Sequence, residues 1–579
     1  MRKVSVFVLF YLVCLVVNAQ WVWNNPLDAK FPAIQNQGWT EETGKTFTRL
    51  PPGAQNKVPK AVWELSRHSA GLAIHFYSNA PEIQVRYAVN GSLGMNHMPA
   101  TGVSGVDLYR INSDGIWDIC SGKFDFGDTI IYHYNHIKKD RYHDYGYEYR
   151  LYLPLYNSVK WLEVGVPDGS SFEFIPVLSE KPIVVYGTSI VQGACATRPA
   201  LAWTTIVERS LDYPLINLGF SGNAKLEKEV VAYISDIDAS LYVLDCIPNL
   251  LEYDEEEVVK RVVDAVKQIR TKSAAPVLLI EYAGNSNAQT DSVRFTNNSD
   301  INEASLYAYK LLQQENIPDI HYIYGDEFKI PADGWVDHVH FNDMGMSAQA
   351  LTVEQKIRKI IKMEKGTSTT TIPVTQRREP NNYEWKKRHY EALALNKSNP
   401  PKSLIIGNSI THFWGGEPKG PRQNGINSWT KYMEPQSYRN LGYGWDRIEN
   451  VLWRIYHAEL DGYEAEKIIL MIGTNNMKIS TDNDIVDGLR FLLAAIHERQ
   501  PKAIVKVIGI LPRRDSEQWV NEINKRIQQL VQEEGYMYQN AGNLLLDANG
   551  KIDESLFSDG LHPNEKGYTL LGAFISDFD

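Results

Sequence analysis

The sequence is short of cysteine, of basic charge and, after its first twenty residues, of long apolar runs. Only 4 of its 579 residues are cysteine, too few for a disulfide framework, so stability has to come from large apolar cores. Cys195 and Cys246 could still pair, although buried free thiols are the expected state. Lys and Arg number 59 against 70 Asp and Glu, a formal charge of −11. That balance argues against a nucleic-acid partner, which wants a basic face. The one extended apolar run, Val4 to Val17 behind Arg2 and Lys3, is short for a bilayer. It leads into Val17-Asn18-Ala19, small-residue cleavage chemistry, and reads as a secretory signal peptide cut after Ala19. A secreted or periplasmic protein without a membrane anchor is the expectation. No sorting or anchoring module is expected after the last unit.

What is present falls into three textures, as a chain too long for one core should. Residues 20–178 hold short β-rich runs such as "EIQVRYAV" and "VKWLEVGV" between Asn, Gly, Pro and Asp clusters, the pattern of a β-sandwich. Residues 179–363 alternate buried-type strands ("PIVVYG", "SLYVLD", "PVLLIEYAG") with helical segments, the pattern of a parallel sheet covered by helices. Residues 364–381, "EKGTSTTTIPVTQRREPN", lack apolar periodicity and read as a linker. Residues 382–579 then restart the α/β texture with "SLIIGN", "KIILMIGTNN" and "AIVKVIGILP". The fold class expected is therefore multidomain, a sandwich followed by two α/β units.

The two α/β units repeat one set of blocks. "YGTSIVQG" carries Ser189 and "IGNSITHFW" carries Ser409, 220 residues later. Each strand–Gly-x-Ser–helix turn would expose a serine beside the free N–H groups of a helix start. After Ser189 come "NLGFSGN", "LDCIPN" and "VDHVHFND"; after Ser409 come "NLGYGWDR", "IGTNN" and "SDGLHPNE". The step from serine to asparagine is 60 residues in one unit and 66 in the other, and from serine to aspartate 148 and 150. Order and spacing of that quality mark an internal duplication.

The residue types state a chemistry. A neutral serine is a weak nucleophile and needs a base, which a third group must hold in the right tautomer. Asp-x-x-His places base and orienting acid on one short loop. A tetrahedral oxyanion then needs donors: the serine N–H, an N–H from the Asn-x-Gly turn and an asparagine amide. One such donor is typically worth about 3 kcal/mol in the barrier.

These blocks resemble the SGNH (GDSL-like) hydrolase family, with "GTS" and "GNS" where the family often shows Gly-Asp-Ser. "GVDLYR", Gly105 to Arg110, is similar to the signature of a β-domain that precedes some of its esterases. The resemblance implies a jelly-roll-like sandwich and two flavodoxin-like α/β/α units hydrolysing esters without a metal or other cofactor. It assigns Ser189 and Ser409 as nucleophiles, His340 and His562 as bases, and Asp337 and Asp559 as orienting acids. The oxyanion donors would be Gly222 and Asn249 in the first unit, and Gly444 or Trp445 with Asn475 in the second. The first unit lacks the usual Gly-x-Asn-Asp string, keeping Asn249 after Asp245 and Pro248. Asp245 is read as structural and His338 as a rim residue.

Three further features are weighed as well. His133, His136 and His143 are too irregularly spaced for a metal site and are expected on an exposed loop. "EYDEEE" reads as a helix start, where carboxylates favour the dipole. Trp414, Trp429 and Trp445 flank the second unit's blocks and could stack a sugar ring. The expectation is a two-site esterase removing O-acetyl groups from plant-type polysaccharides or oligosaccharides. The alternatives are a lipase-like or aryl-ester hydrolase, or one active C-terminal esterase with the N-terminal half as a glycan-binding module.

Overall fold

The protein is seen in a computed structural model that describes residues 20–577, so the expected signal peptide lies outside the described residues. Among those residues no helix is long and apolar enough to cross a membrane.

Alternation builds the first domain. Along Ile83–Val89, Ile83, Val85 and Tyr87 are buried while Gln84 and Arg86 are partly exposed, the period of two that a half-buried strand requires. One antiparallel sheet runs Trp21–Asn24, Val159–Pro167, Ile83–Val89, Ile130–Tyr134, Lys123–Asp125. The other runs Phe172–Phe174, Ala73–Ser78, Tyr147–Tyr152, Asp107–Ile111, Trp117–Cys120, with Ile34–Gln35 also on Ala73–Ser78. Phe76, Tyr149 and Leu151 from one sheet share a core with Val85, Tyr132 and Leu162 from the other. The Gly-x-Asp-Leu-Tyr stretch is a joint. Asp107 accepts from the Ala200 N–H at 2.8 Å and from Arg198 at 3.0 Å, tying the sandwich to the first α/β unit.

Each α/β unit holds five parallel strands in the order 2-1-3-4-5, the flavodoxin-like arrangement. In the first unit this is Leu215–Gly219, Ile183–Gly187, Leu241–Asp245, Val277–Ile280, Ile320–Ile323; in the second it is Tyr438–Gly442, Ser403–Gly407, Lys467–Met471, Ile504–Ile508, Met537–Gln539. Packing on both faces buries the first two strands of each unit completely, which is why these segments read as near-continuous apolar runs. Helix Glu255–Arg270 starts where the acidic run suggests. Asp254 caps the Glu257 N–H at 2.9 Å, three glutamates fill the first turn, and Val258, Val262, Ala265, Val266 and Ile269 face inward.

Two expectations change. His133 lies on a strand, bonded to Glu82 at 2.7 Å, and His143 is buried in a short 3-10 turn; of the three histidines only His136 is exposed on a loop. Strand pairing, which spacing alone does not reveal, carries them apart. The segment 364–381 is also no loose tether. Thr370 is fully buried and its hydroxyl donates to Asp484 O, while the Arg377 N–H donates to Ser113 O and Arg378 pairs with Asp114 at 2.7 Å. Its polar side chains satisfy backbone and carboxylate groups of both neighbours, so a composition typical of linkers here forms a packed seam. All three domains meet where Arg150 of the sandwich bonds Glu148 and Asp212, Lys386 bonds Glu148, and the Trp453 indole donates to Asp212.

Candidate active sites

Both serines sit at the carboxyl end of the first strand of their unit, between its two neighbours, where the strand order reverses. The residue before each serine is the cap of its helical turn. The Thr188 hydroxyl accepts from the Ile190 N–H at 3.3 Å and the Asn408 side-chain Oδ1 from the Ile410 N–H at 2.9 Å. That is why the middle residue of Gly-x-Ser is small and polar. The glycine is demanded by space: a Cβ at Gly187 would lie 2.5 Å from Asp245 O, and one at Gly407 2.6 Å from Met471 O.

The structure brings serine, histidine and aspartate together in each unit. Ser189 Oγ lies 2.9 Å from His340 Nε2, and His340 Nδ1 lies 2.8 Å from Asp337 Oδ2. The corresponding distances through His562 to Ser409 and Asp559 are 2.8 and 2.8 Å. The other carboxylate oxygen accepts two backbone N–H groups, those of Val339 and His340 in one loop and of Leu561 and His562 in the other. Burial pushes the Asp337 carboxyl up, but the hydrogen bonds from His340 and these N–H groups outweigh it and hold it at about 2. Asp559 is lowered against the same penalty by the same kinds of bond. Both carboxylates stay charged at neutral pH and hold Nδ1 as the protonated nitrogen, leaving Nε2 free to accept the serine proton.

The oxyanion side repeats in detail. Gly222 and Trp445 share a left-handed conformation, φ +67° and +65°. The Asn249 amide donates to Asn223 O at 2.5 Å and the Asn475 amide to Asp446 O at 3.0 Å, in each case the residue after the left-handed one. Each amide keeps a second hydrogen to offer. Gly444 drops out as a donor, because its N–H is already given to His412 Nδ1 at 3.1 Å. In the first unit the same bond runs from the Ser221 N–H to the Gln192 side chain at 3.0 Å.

The tryptophans divide. Trp445 is 39% exposed and lines a pocket of about 470 Å³ with Ser409 and His562. Trp414 and Trp429 are buried and pack edge to face, with Trp414 stacked on Tyr568. Neither can stack a sugar. Flanking a block in sequence does not fix facing: Trp414 leaves the nucleophile turn toward helix Glu565–Ile575, and Trp429 closes over Gly415 and Gly416.

Several supporting residues carry no motif of their own. Gln192 and His412 stand three after each serine and hold the oxyanion turn. Burial, with Arg388 and Arg454 nearby, lowers the His412 pKa to about 2, which keeps its ring a neutral acceptor. Asn342 and Asn564, two after each histidine, cap the last helix and bond back to Asp333 O and Ser555 O, which fixes the Asp-x-x-His loop. Their matching offsets in the two units were a usable signal. Arg49 and Arg388 were not findable: Arg49 donates to Gly219 O at 2.7 Å and to Asn217 O at 3.3 Å, Arg388 to Gly442 O at 2.9 Å and to Asn440 O at 3.3 Å. Asp245 is buried under the first sheet edge, bonded by Gln349 at 3.1 Å, and His338 is exposed. Cys120, Cys195 and Cys246 are all free. His97, Cys195 and His340 present ligand atoms within 4.8 Å of one another. A cation held by all three would take His340 from Ser189, so the cluster does not suit a metal that assists this relay.

The arrangement can perform acyl transfer at serine, in an α/β unit used twice. Residues 21–172 match the GxDLY model, described as the N-terminus of SGNH-hydrolase-type esterases, and 180–358 and 405–570 each match the GDSL-like lipase/acylhydrolase family. A candidate GDSL-like lipase from Bacteroides ovatus is 31% identical, with a TM-score of 0.54 over 59% of this chain and 98% of its own. Platelet-activating factor acetylhydrolase IB subunit alpha1 of Bos taurus is 28% identical over 190 residues, 32% of this chain and 78% of the relative. The human protein of that name is 27% identical over the same length. The chain belongs to the GDSL-like lipase/acylhydrolase family, with two such units in tandem behind a GxDLY domain. It is a carboxylic ester hydrolase.

Proposed function

We propose that the protein is an exported esterase with two Ser-His-Asp sites that removes O-acetyl groups from plant-type polysaccharides or their oligosaccharides. The observation that carries this is the pair of relays, each serine–histidine–aspartate chain closed within 2.8–2.9 Å. Serine Oγ attacks the ester carbonyl carbon as its proton passes to histidine Nε2. Negative charge moves to the carbonyl oxygen, facing the serine N–H, the N–H of Gly222 or Trp445 and the asparagine amide. The intermediate collapses, the sugar oxygen leaves with the proton from Nε2, and an acetyl-serine remains. Water, deprotonated by the same histidine, then releases acetate and restores the serine.

Acetyl is favoured over longer acyl groups by the relatives named acetylhydrolases and by the second pocket, whose lining is too rich in charge for an alkyl tunnel. The leader-like residues 1–19 support export. The intact first relay speaks against a merely glycan-binding N-terminal half. The mammalian relatives favour one second reading, the acetyl ester of a glycerophospholipid. Acetate release from acetylated xylan, pectin and mannan, beside an acetylated glycerophospholipid, decides between them. Turnover of the lipid alone would overturn the carbohydrate reading.

A further inference from the structure

In a chain with a net charge of −11, the second site gathers positive charge. Its pocket, about 470 Å³ and containing Ser409 and His562, is lined by Arg141, Arg422, Arg447, Lys478 and Arg513. Two carboxylates share it, Glu379 and Asp559, and Asp559 is taken by His562. Of the five cations, Arg447 is bridged, to Asp114 at 3.3 Å and to Glu449 at 3.9 Å. Arg141, Arg422, Lys478 and Arg513 have no carboxylate within salt-bridge distance among the described residues. Arg422 lies over Phe413 and Arg141 over Tyr142, which orients both; Asp114, already bonded to Arg447 and Arg378, is a carboxylate that Arg141 also feels. Arg513 is half-buried, and burial alone pulls its pKa down.

Unneutralised like charges around one concavity repel one another and focus a positive potential into it. An anion bound there relieves that repulsion, and guanidinium groups match a carboxylate with paired hydrogen bonds. We infer that the second site takes an O-acetyl ester of a sugar acid, with the sugar carboxylate held by these arginines while the acetyl group meets Ser409. The inference rests on the esterase reading of that serine. The pocket has the size of a small-molecule site, which suits a compact acidic sugar. Two of its determinants come from the N-terminal sandwich: Arg141 lines the pocket, and Asp114 bonds both Arg447 and Arg378. The sandwich is thus part of the second site's wall.

The test uses the full chain carrying Ser189→Ala, so that only the second site acts. Acetate release is compared for O-acetylated methyl glucuronoside and O-acetylated methyl glucoside. The acidic ester is expected to have a kcat/KM about tenfold higher or more, a preference that shrinks in high salt as surface charge is screened. Adding Arg513→Gln or Arg141→Gln should lower the acid-to-neutral ratio about fivefold, mainly through KM, with Arg513→Lys retaining part of it. Equal or better turnover of the neutral sugar overturns the inference, as does a ratio unmoved by both Gln variants or a preference for an acetylated glycerophospholipid. Release from neither ester by a folded Ser189→Ala protein overturns the esterase reading of Ser409 itself.

Discussion

Beneath the strand end that carries Asn-x-Gly in the first unit lies Arg49, which comes from the sandwich; beneath that of the second lies Arg388, which comes from the helix Trp385–Ser398. Each guanidinium donates to the same two carbonyls at the end of its strand, those of the asparagine and glycine, and lies over the aromatic ring that follows, Phe220 at 4.9 Å or Tyr443 at 5.2 Å. Segments unrelated in sequence and architecture thus provide the same prop. The two candidate sites share one serine–histidine–aspartate geometry and differ in what supports and walls it. The requirement is physical: buried carbonyls beside a strained turn need donors, and any chain segment that delivers a guanidinium satisfies them.

The largest effects should come from separating the two relays. Ser189→Ala and Ser409→Ala are each expected to silence one site by about a thousandfold or more, and the double variant to leave no enzymatic aryl-acetate turnover. Loss of all activity in one single variant would break the symmetry between the units. Next come the props. Arg49→Met in a Ser409→Ala background, and Arg388→Met in Ser189→Ala, should each cost about 2–3 kcal/mol of stability by leaving two buried carbonyls short of a donor. Each should also lower kcat at its own site more than it raises KM. Arg49→Met lowering kcat in the Ser189→Ala background as much as in Ser409→Ala would sink the comparison.

A smaller effect probes a position where the units differ, Asp245 against Met471 at the end of the third strand. Burial raises the Asp245 pKa to about 7, against an opposing bond from Gln349. The folded state therefore holds a proton that the unfolded chain releases. Its contribution is present below about pH 4 and is lost as pH rises through about 7. Asp245→Asn should raise stability more at pH 8 than at pH 5, by on the order of 2–3 kcal/mol in thermal or denaturant unfolding. The smallest effects concern the turn itself. Gly222→Ala should cost about 1 kcal/mol from backbone strain, since its φ is +67° and an added Cβ meets nothing within 4 Å. Trp445→Gly should relieve similar strain and raise butyryl-over-acetyl preference at the second site a few-fold, read from paired aryl esters. An unchanged acyl preference would show that the indole does not shape that pocket.

Much of each relay was legible because its parts are local. A Gly-x-Ser turn after a buried strand, an asparagine after another, and an Asp-x-x-His loop each fold from a few adjacent residues, and their repetition in one order identified the duplication. The strand alternation of the sandwich and the acidic start of helix Glu255–Arg270 were legible for the same reason. Gln192 and His412 escaped notice because an ordinary helical position does not announce what its side chain reaches. Arg49 was out of reach, since its partners lie about 170 residues away in the chain. For Trp414 and Trp429 the sequence does not distinguish core from sugar platform, because large aromatics serve both equally well.

By itself, then, the sequence determined the family and the three textures, and it named the two sets of serine, histidine and aspartate that the structure brings within hydrogen-bond distance, because local turn chemistry and period suffice for those. Tertiary structure alone decided that Gly444 spends its N–H on His412, that residues 364–381 form a packed seam rather than a tether, and that Trp445 is the tryptophan left facing the pocket. It also decided that cations from the sandwich and from the second unit line one pocket with Ser409. Burial and long-range pairing settle such questions, and neither is written in the spacing of neighbouring residues.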